Sequence, residues 1–177
     1  MITGKPGVGK STLFNSIIEV LRSNGFKVGG VIAPEVREKG IRIGFKIIDL
    51  LTNEERWLAK RNYDSPVRVG SYGVLVHEAD ELVRDAILKA LVEADLIAID
   101  EVGPMELKLP SFKTVLLKAL DSGKPMIMVV HYRLSDIDIV SRLKAARKIT
   151  VTIDNRDNLR KNVPESILKE LRSVLQF

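Results

Sequence analysis

Gly4-Lys5-Pro6-Gly7-Val8-Gly9-Lys10-Ser11 is the stretch that decides the fold of this 177-residue chain. It matches the pattern G-x-x-x-x-G-K-[ST], the Walker A loop, in which glycines let the backbone turn so tightly that successive N–H groups converge on an anion. Lys10 adds a mobile positive charge, and Ser11 adds a hydroxyl able to bind Mg²⁺. Apolar residues recur on one face of residues 12–23, which predicts a helix whose positive end points at the loop. The stretch therefore predicts a binding site for a nucleoside triphosphate.

The second informative stretch is Leu96-Ile97-Ala98-Ile99-Asp100-Glu101, in which four apolar residues precede two acids. Such a run predicts a strand buried on both faces that delivers a carboxylate beside the phosphate loop, the Walker B arrangement. We expect Asp100 and Ser11 to hold Mg²⁺, partly through bound water. We expect Glu101 to polarise the water that attacks the γ-phosphate, the alternative being a solvated loop carboxylate.

Strands and helices alternate along the chain. Strands are predicted at 1–3, 27–33, 95–100, 125–131 and 148–153, and helices at 12–23, 79–93, 110–120, 136–146 and 164–175. This alternation predicts an α/β fold in which a mainly parallel sheet lies between helices and ligands gather at the carboxyl ends of the strands.

An antiparallel hairpin insertion is predicted at 36–51, where apolar residues alternate with period two, and a third short strand is predicted at 56–60. Residues 67–76 are expected to be mostly loop, with some strand at 74–76. Asp80 and Glu81 are expected at the positive end of the helix at 79–93.

Further candidates follow the strand at 125–131. His131 can sense the γ-phosphate and Arg133 can neutralise transition-state charge, although both can equally be ordinary surface residues. Arg37 and Arg42 in the hairpin are weaker candidates for the role of Arg133.

Three more positions leave alternatives open. Glu106 either assists the attacking water, fixes its loop or is an ordinary carboxylate at the start of a helix. Asn155 and Arg156 follow the last strand, where they can pack on or hydrogen-bond the nucleotide base, or form an ordinary turn. His77 is interpreted as a residue at the start of a helix, since no His/Asp/Glu cluster has transition-metal spacing.

Composition bounds the class of protein. With 45% hydrophobic and 29% charged residues, we expect one globular domain over residues 1–177, acting as a monomer. No apolar run approaches the roughly 20 residues that span a membrane, and the phosphate loop leaves no room for a signal peptide, so we expect a cytoplasmic protein without a membrane partner. The strand before Gly4 is short, so either it is stubby or the natural protein begins upstream. The chain has no cysteine and a single glutamine, a pattern typical of thermophiles.

The net charge of +5 raises the question of a nucleic-acid partner. Lys and Arg are spread along the chain, and the densest group, residues 144–148, lacks interleaved aromatic residues for base stacking. Nucleic acid is therefore the less favoured partner, and a nucleoside triphosphate is the expected one.

With these motifs, the chain resembles the small thermophile nucleoside-triphosphatase (THEP-type) family, which has a human cancer-related relative. The resemblance spans nearly the full length. Its segments are Thr3 to Thr12, Pro34-Glu35-Val36-Arg37, Gly44-Phe45, Asp100-Glu101-Val102-Gly103-Pro104-Met105-Glu106-Leu107 and Asn155-Arg156-Asp157-Asn158-Leu159. It implies a RecA-like P-loop domain that slowly hydrolyses ATP, GTP and other triphosphates to diphosphates with Mg²⁺.

The predicted function is thus Mg²⁺-dependent hydrolysis of nucleoside triphosphates. Nine residues are expected to surround the phosphates: Gly4, Lys5, Pro6, Gly7, Val8, Gly9, Lys10, Ser11 and Thr12. Lys10 bridges the β- and γ-phosphates, and His131 or Arg133 stabilises the γ-phosphoryl group. Two rivals remain. One is a small-molecule or nucleic-acid kinase, which must exclude water with a lid. The other is a nucleotide-dependent RNA-binding protein, supported only by the basic charge.

Overall fold

Apolar strands and amphipathic helices alternate along residues 1–175, the part of the chain that the computed structural model describes. The strands are β1 (Ile2–Thr3), β2 (Val28–Ile32), β3 (Glu35–Glu38), β4 (Ile41–Asp49), β5 (Glu55–Arg61), β6 (Arg68–Val69), β7 (Tyr72–Val74), β8 (Leu96–Val102), β9 (Met126–Val130) and β10 (Ile149–Thr150). The helices are α1 (Lys10–Ser23), α2 (Val76–Glu93), α3 (Phe112–Leu120), α4 (Ile137–Arg142) and α5 (Arg156–Leu175), with 3-10 turns at Glu106–Lys108 and Leu143–Ala145.

The ten strands form one sheet in the order β10-β1-β9-β8-β2-β4-β5-β7-β6, and β3 pairs with β4. From β10 to β2 the neighbours are parallel, whereas all pairs beyond β2 are antiparallel. The predicted α/β fold, a mainly parallel sheet with an antiparallel hairpin, is confirmed. The antiparallel strands continue the central sheet, because β4 pairs directly with β2.

Each face of the parallel half carries its own helical layer and apolar core. On β8, Leu96 and Ala98 pack in the cluster that includes α1 and α5, while Ile97 and Ile99 pack in the cluster that includes α2, α3 and α4. Both faces of this strand are buried, which explains why it is a continuous apolar run. Phe14 of α1 is fully buried in the first of these clusters.

The last helix begins earlier than predicted. It starts at Arg156 and not at Pro164, so Asn155 and Arg156 do not lie in an open loop. The Asn155 side chain accepts a hydrogen bond from the Thr152 amide (2.8 Å) and donates one to the Thr150 carbonyl (2.9 Å). This bonding turns the chain directly from β10 into the helix. Pro164 lies inside α5 and is buried, and it leaves the helix without one backbone hydrogen bond at that turn.

The second helix also begins earlier, at Val76, so the expectation that Asp80 and Glu81 lie at its positive end is wrong. The Asp80 carboxylate instead accepts hydrogen bonds from the amide (2.7 Å) and the hydroxyl (2.8 Å) of Ser111. It thereby ties α2 to the start of α3.

Substitution of Gly30 tests how closely β2 and β8 approach each other at the centre of the sheet. Its φ is +114°, and a Cβ there would lie 2.1 Å from the Ala98 carbonyl oxygen of β8. We expect Gly30→Ala to lower the free energy of unfolding by more than about 4 kcal/mol. The control is Gly40→Ala, at φ +79° with nothing within 4 Å, which should cost only about 1–2 kcal/mol. Guanidinium unfolding measures both, and equal losses would contradict the packing argument.

Candidate active site

The phosphate loop connects β1 to α1 and passes very close to the segment that follows β10. A Cβ on Gly4 would lie 2.4 Å from the Val151 carbonyl oxygen, just after β10, so only glycine fits there. Lys10, the first residue of α1, is buried, and its Nζ donates a hydrogen bond to the Lys5 carbonyl oxygen at 3.2 Å. The first turn of α1 contains no acidic residue. The ammonium group and the helix N-terminus therefore give this loop a positive potential suited to phosphate.

The carboxyl end of β8 brings two acids to the loop. Val129 of β9 pairs with Ile2 on one side and with Asp100 on the other, so the phosphate loop and Asp100 leave the sheet at the same level. The Ser11 side chain hydrogen-bonds Asp100. The two predicted Mg²⁺ ligands thus meet, and both supply oxygen.

Burial, with a smaller contribution from the charge of Glu101, raises the pKa of Asp100 to about 6, against the opposing effects of the Ser11 hydrogen bond and the charge of Lys10. Burial likewise raises the pKa of Glu101, and the ammonium group of Lys10 opposes the rise. Raised carboxyl pKa values in a cleft are typical of functional sites.

A cavity of about 610 Å³ lies against the loop and the two acids. Its lining comprises Gly7, Gly9, Lys10, Ser11, Thr12, Asn15, Ile32, Ala33, Pro34, Glu35, Phe45, Val69, Asp100, Glu101, Pro104, Met105 and Glu106. The phosphate loop forms one wall, and Ile32 at the end of β2, Phe45 in the middle of β4 and Val69 at the end of β6 form another. A cavity of this size is within the range that holds a small-molecule ligand.

Glu106 lines this cavity together with the acids Glu35, Asp100 and Glu101, and it is only 6% exposed. Burial, together with the charges of Glu101 and Asp100, raises its pKa to about 8, although hydrogen bonds from its own amide and that of Gly103 act to lower it. A Cβ on Gly103 would lie 2.9 Å from Glu101 Oε1 and 3.1 Å from Glu106 Oε2, so the two carboxyls flank the same glycine. Glu106 begins the 3-10 turn at Glu106–Lys108, as a carboxyl at a helix start, but it is buried and mostly protonated at neutral pH.

The structure places His131 near the site and Arg133 farther out. The His131 amide bonds the Val102 carbonyl at 3.0 Å, and burial, followed by the charges of Lys10 and Arg133, lowers the pKa of the imidazole. The Arg133 guanidinium lies over the Tyr132 ring, 5.0 Å from its centroid. Neither residue lines the cavity.

Arg156 lines a second pocket, of about 250 Å³, on the other side of the loop. Gly9, Thr12, Leu13, Asp157 and Arg160 complete its lining. The Asn155 amide is engaged by Thr150 and Thr152 and does not line this pocket. Arg160 was missed from the sequence because the helix was predicted to start at Pro164. Arg160 lies one turn after Arg156 in α5, so a correct prediction of the helix start would have made it a candidate.

The two hairpin arginines pair with the same acid, Glu35, and neither lines the cavity. Arg37 Nε bonds Glu35 at 2.6 Å, and Arg42 lies 3.3 Å from the other oxygen of the same carboxylate. Arg42 Nε also donates to the Tyr72 hydroxyl at 2.8 Å. Sequence reasoning did not single out Phe45, Val69 or Met105 as lining residues, because their side chains resemble ordinary strand and loop residues.

A sequence model of the family described as NTPase matches residues 1–164. The chain is 44% identical to the nucleoside-triphosphatase THEP1 of Thermofilum pendens, over 99% of this chain and 96% of the relative. The chain belongs to the THEP-type nucleoside-triphosphatase family. It is also 47% identical to THEP1 of Hyperthermus butylicus, over 94% of this chain and 89% of that relative.

Solved structures agree with this family. The crystal structure of THEP1 from the hyperthermophile Aquifex aeolicus superposes with a TM-score of 0.77 at 28% identity, over 96% of both chains. The solution structure of a human cancer-related nucleoside triphosphatase gives the same TM-score and identity, over 94% of this chain and 95% of that one. The predicted family and enzyme class are thus confirmed. Among residues 1–175, no helix is long and apolar enough to cross a membrane.

The buried Glu106 predicts a dependence of stability on pH in this family member. Between the ordinary carboxyl pKa of 4.5 and about 8, the unfolded chain has released the proton that the folded chain keeps, so stability falls as pH rises. The measurement is guanidinium unfolding of the nucleotide-free protein from pH 5 to 8. The free energy of unfolding of Glu106→Gln, relative to that of the wild type, should rise by up to about 1.4 kcal/mol per pH unit. The exposed Glu19→Gln is the control. Parallel pH profiles for wild type and Glu106→Gln would contradict the burial of a neutral acid.

Proposed function

We propose that this chain hydrolyses nucleoside 5'-triphosphates to the diphosphate and inorganic phosphate, with Mg²⁺. The observation that carries the proposal is the one cavity that Lys10 and Ser11 line together with Asp100 and Glu101. An anion-binding loop beside a pair of acids is what hydrolysis of a phosphoanhydride requires.

Binding begins with the phosphates. Backbone amides from Lys5 to Thr12 hold the α- and β-phosphates, and Lys10 exchanges its hydrogen bond with the Lys5 carbonyl for the β- and γ-phosphates. The nucleoside then extends to the second pocket, beside Arg156 and Arg160. Arginine planes stack on any base, which supports the use of ATP, GTP and other triphosphates.

Mg²⁺ fits the oxygens available beside the loop. Within the described residues, no group of three or more His, Cys, Asp or Glu side chains forms a self-sufficient metal site. Mg²⁺ suits such a place, because it is usually held by one or two carboxylates together with water and substrate phosphates. Ser11 and Asp100 would hold it, and it would neutralise charge on the β- and γ-phosphates.

Glu101 supplies the base. Its carboxylate accepts a hydrogen bond from a water placed in line with the bond between the γ-phosphorus and the bridging oxygen. The water oxygen bonds to phosphorus, the bridging bond breaks, and the proton passes to Glu101. A raised pKa makes this carboxylate a better base than an exposed one. Lys10, with His131 or Arg133, balances the charge that develops on the transferring group.

We propose that residues 1–177 act as one domain and as a monomer, in the cytoplasm, with the nucleoside triphosphate as their partner. A nucleic-acid partner is not favoured, because only the overall charge supports it.

Glu101→Gln is the sharpest test of the base. The variant should keep its affinity for Mg²⁺-ATP, since the amide fills the same space, while phosphate release falls about 10²–10⁴-fold. Lys10→Ala should lose at least about a hundredfold in turnover and weaken binding as well. Exposed Glu19→Gln on α1 is the matched control and should behave as wild type. Normal turnover by Glu101→Gln would remove Glu101 from this role.

Arg156→Ala tests the placement of the nucleoside. Loss of one stacking cation should raise KM for ATP and for GTP by roughly tenfold each while kcat changes little. Arg147→Ala, an exposed arginine outside both pockets, is the control. An unchanged KM for both nucleotides would show that the nucleoside lies elsewhere.

A further inference from the structure

The large cavity has an apolar compartment that hydrolysis by water does not use. Seven apolar residues from four segments line it: Ile32, Ala33, Pro34, Phe45, Val69, Pro104 and Met105. In the proposed function the nucleoside extends from the loop toward the second pocket, which shares only Gly9 and Thr12 with this cavity. The compartment therefore lies beyond the γ-phosphate, where a small polar space would suffice for water.

The aromatic wall of this compartment is fixed in place before any ligand binds. The Phe45 ring meets the Tyr72 ring edge-on, with centroids 5.3 Å apart. The Arg42 guanidinium lies 5.2 Å from the Phe45 centroid and is itself held by the Tyr72 hydroxyl and the Glu35 carboxylate. A wall fixed in this way binds a flat or aliphatic group without a cost of ordering the protein.

The charges of the lining limit what the compartment can hold. Of the described lining residues, Lys10 is the one with a cationic side chain, and it lies on the phosphate wall. Arg37 and Arg42 are both committed to Glu35. The Glu101 carboxylate lines the same space. A second molecule that carried its own phosphate or carboxylate would meet repulsion and no counter-charge.

We propose that this compartment binds a small uncharged alcohol with an aromatic or aliphatic body and that the γ-phosphoryl group is transferred to its hydroxyl. The inference rests on the proposed function, because it uses the same phosphate loop and the same base. Water and the alcohol then compete for one position next to Glu101.

The transfer balances without any further reactant. The alcohol oxygen forms a bond to the γ-phosphorus as the bond to the bridging oxygen breaks, and the hydroxyl proton passes to the Glu101 carboxylate. The products are a phosphate monoester and the nucleoside diphosphate. Packing of the alcohol body against Phe45 and Met105 displaces water from the same space, which favours transfer over hydrolysis.

The experiment measures the ratio of phosphate monoester to free phosphate formed from Mg²⁺-ATP, by ³¹P NMR. The probes are 2-phenylethanol, tyrosol and tryptophol, each supplied separately, and the matched anionic probe is 3-phenyllactate, which keeps an aliphatic hydroxyl beside an aromatic ring and adds a carboxylate. We expect ester from the alcohols and none from the carboxylate.

Two substitutions in the wall should lower this ratio. Phe45→Ala removes the aromatic contact and should reduce it by about tenfold, and Val69→Ala should reduce it less. The control is Ile41→Ala, an apolar residue at the exposed start of the same strand as Phe45. Because the ratio is internal to each sample, a partial loss of folded protein does not change it.

The outcomes separate this inference from the proposed function. Ester formation that falls in Phe45→Ala and persists in Ile41→Ala supports the inference. Phosphate release with no ester from any of the three alcohols overturns it and leaves hydrolysis standing, as does inhibition by the alcohols without ester. Ester formation that is equal in all variants also overturns it, because the compartment would not be the acceptor site. Absence of any ADP would instead contradict the proposed function.

Discussion

The rest of the structure depends on how the carboxyl ends of three neighbouring parallel strands, β1, β9 and β8, are aligned. Val129 of β9 pairs with Ile2 of β1 and with Asp100 of β8, so the phosphate loop and the first acid leave the sheet side by side. A slip of one residue in the pairing of β8 would point the Asp100 side chain to the other face of the sheet, into a layer of helices. Gly4 permits the loop to leave β1 at this point, because any side chain there would press on the Val151 carbonyl. The cavity, the metal ligands and the base all follow from that register.

The electrostatics of the cavity favour a polyanion and a divalent cation together. Lys10 and the N-terminus of α1 attract phosphate, while the acids at the end of β8 attract a cation. Burial is the main reason that the pKa of Asp100 rises to about 6 and that of Glu106 to about 8, which means that the negative charge of these acids is destabilised while no cation is bound. Binding of Mg²⁺ with a triphosphate would supply both the cation that the acids attract and the anion that the loop attracts. Because Glu106 is protonated, it adds no negative charge beside Asp100 and Glu101.

The fold and the phosphate loop could be predicted from the sequence because their signals are local. The glycine spacing before Lys10 and the apolar run before Asp100 each specify a backbone shape within a few residues. The start of α5 could not be predicted, since it depends on the Asn155 side chain bonding the backbone around Thr150. The apolar compartment was also missed, because Phe45 joins the cavity only through the pairing of β4 with β2. Local chemistry was thus predictable, whereas the walls of the cavity depend on long-range pairing.

The central claim is that this loop and its facing acids direct an oxygen nucleophile to the γ-phosphorus. Hydrolysis of Mg²⁺-ATP in ¹⁸O-labelled water, followed by mass spectrometry of both products, tests it most directly. The account predicts that the label from solvent appears in inorganic phosphate and is absent from ADP. Label in ADP, or release of pyrophosphate in place of phosphate, would show attack at another phosphorus and would contradict the assigned positions of Lys10, Asp100 and Glu101 around the γ-phosphate.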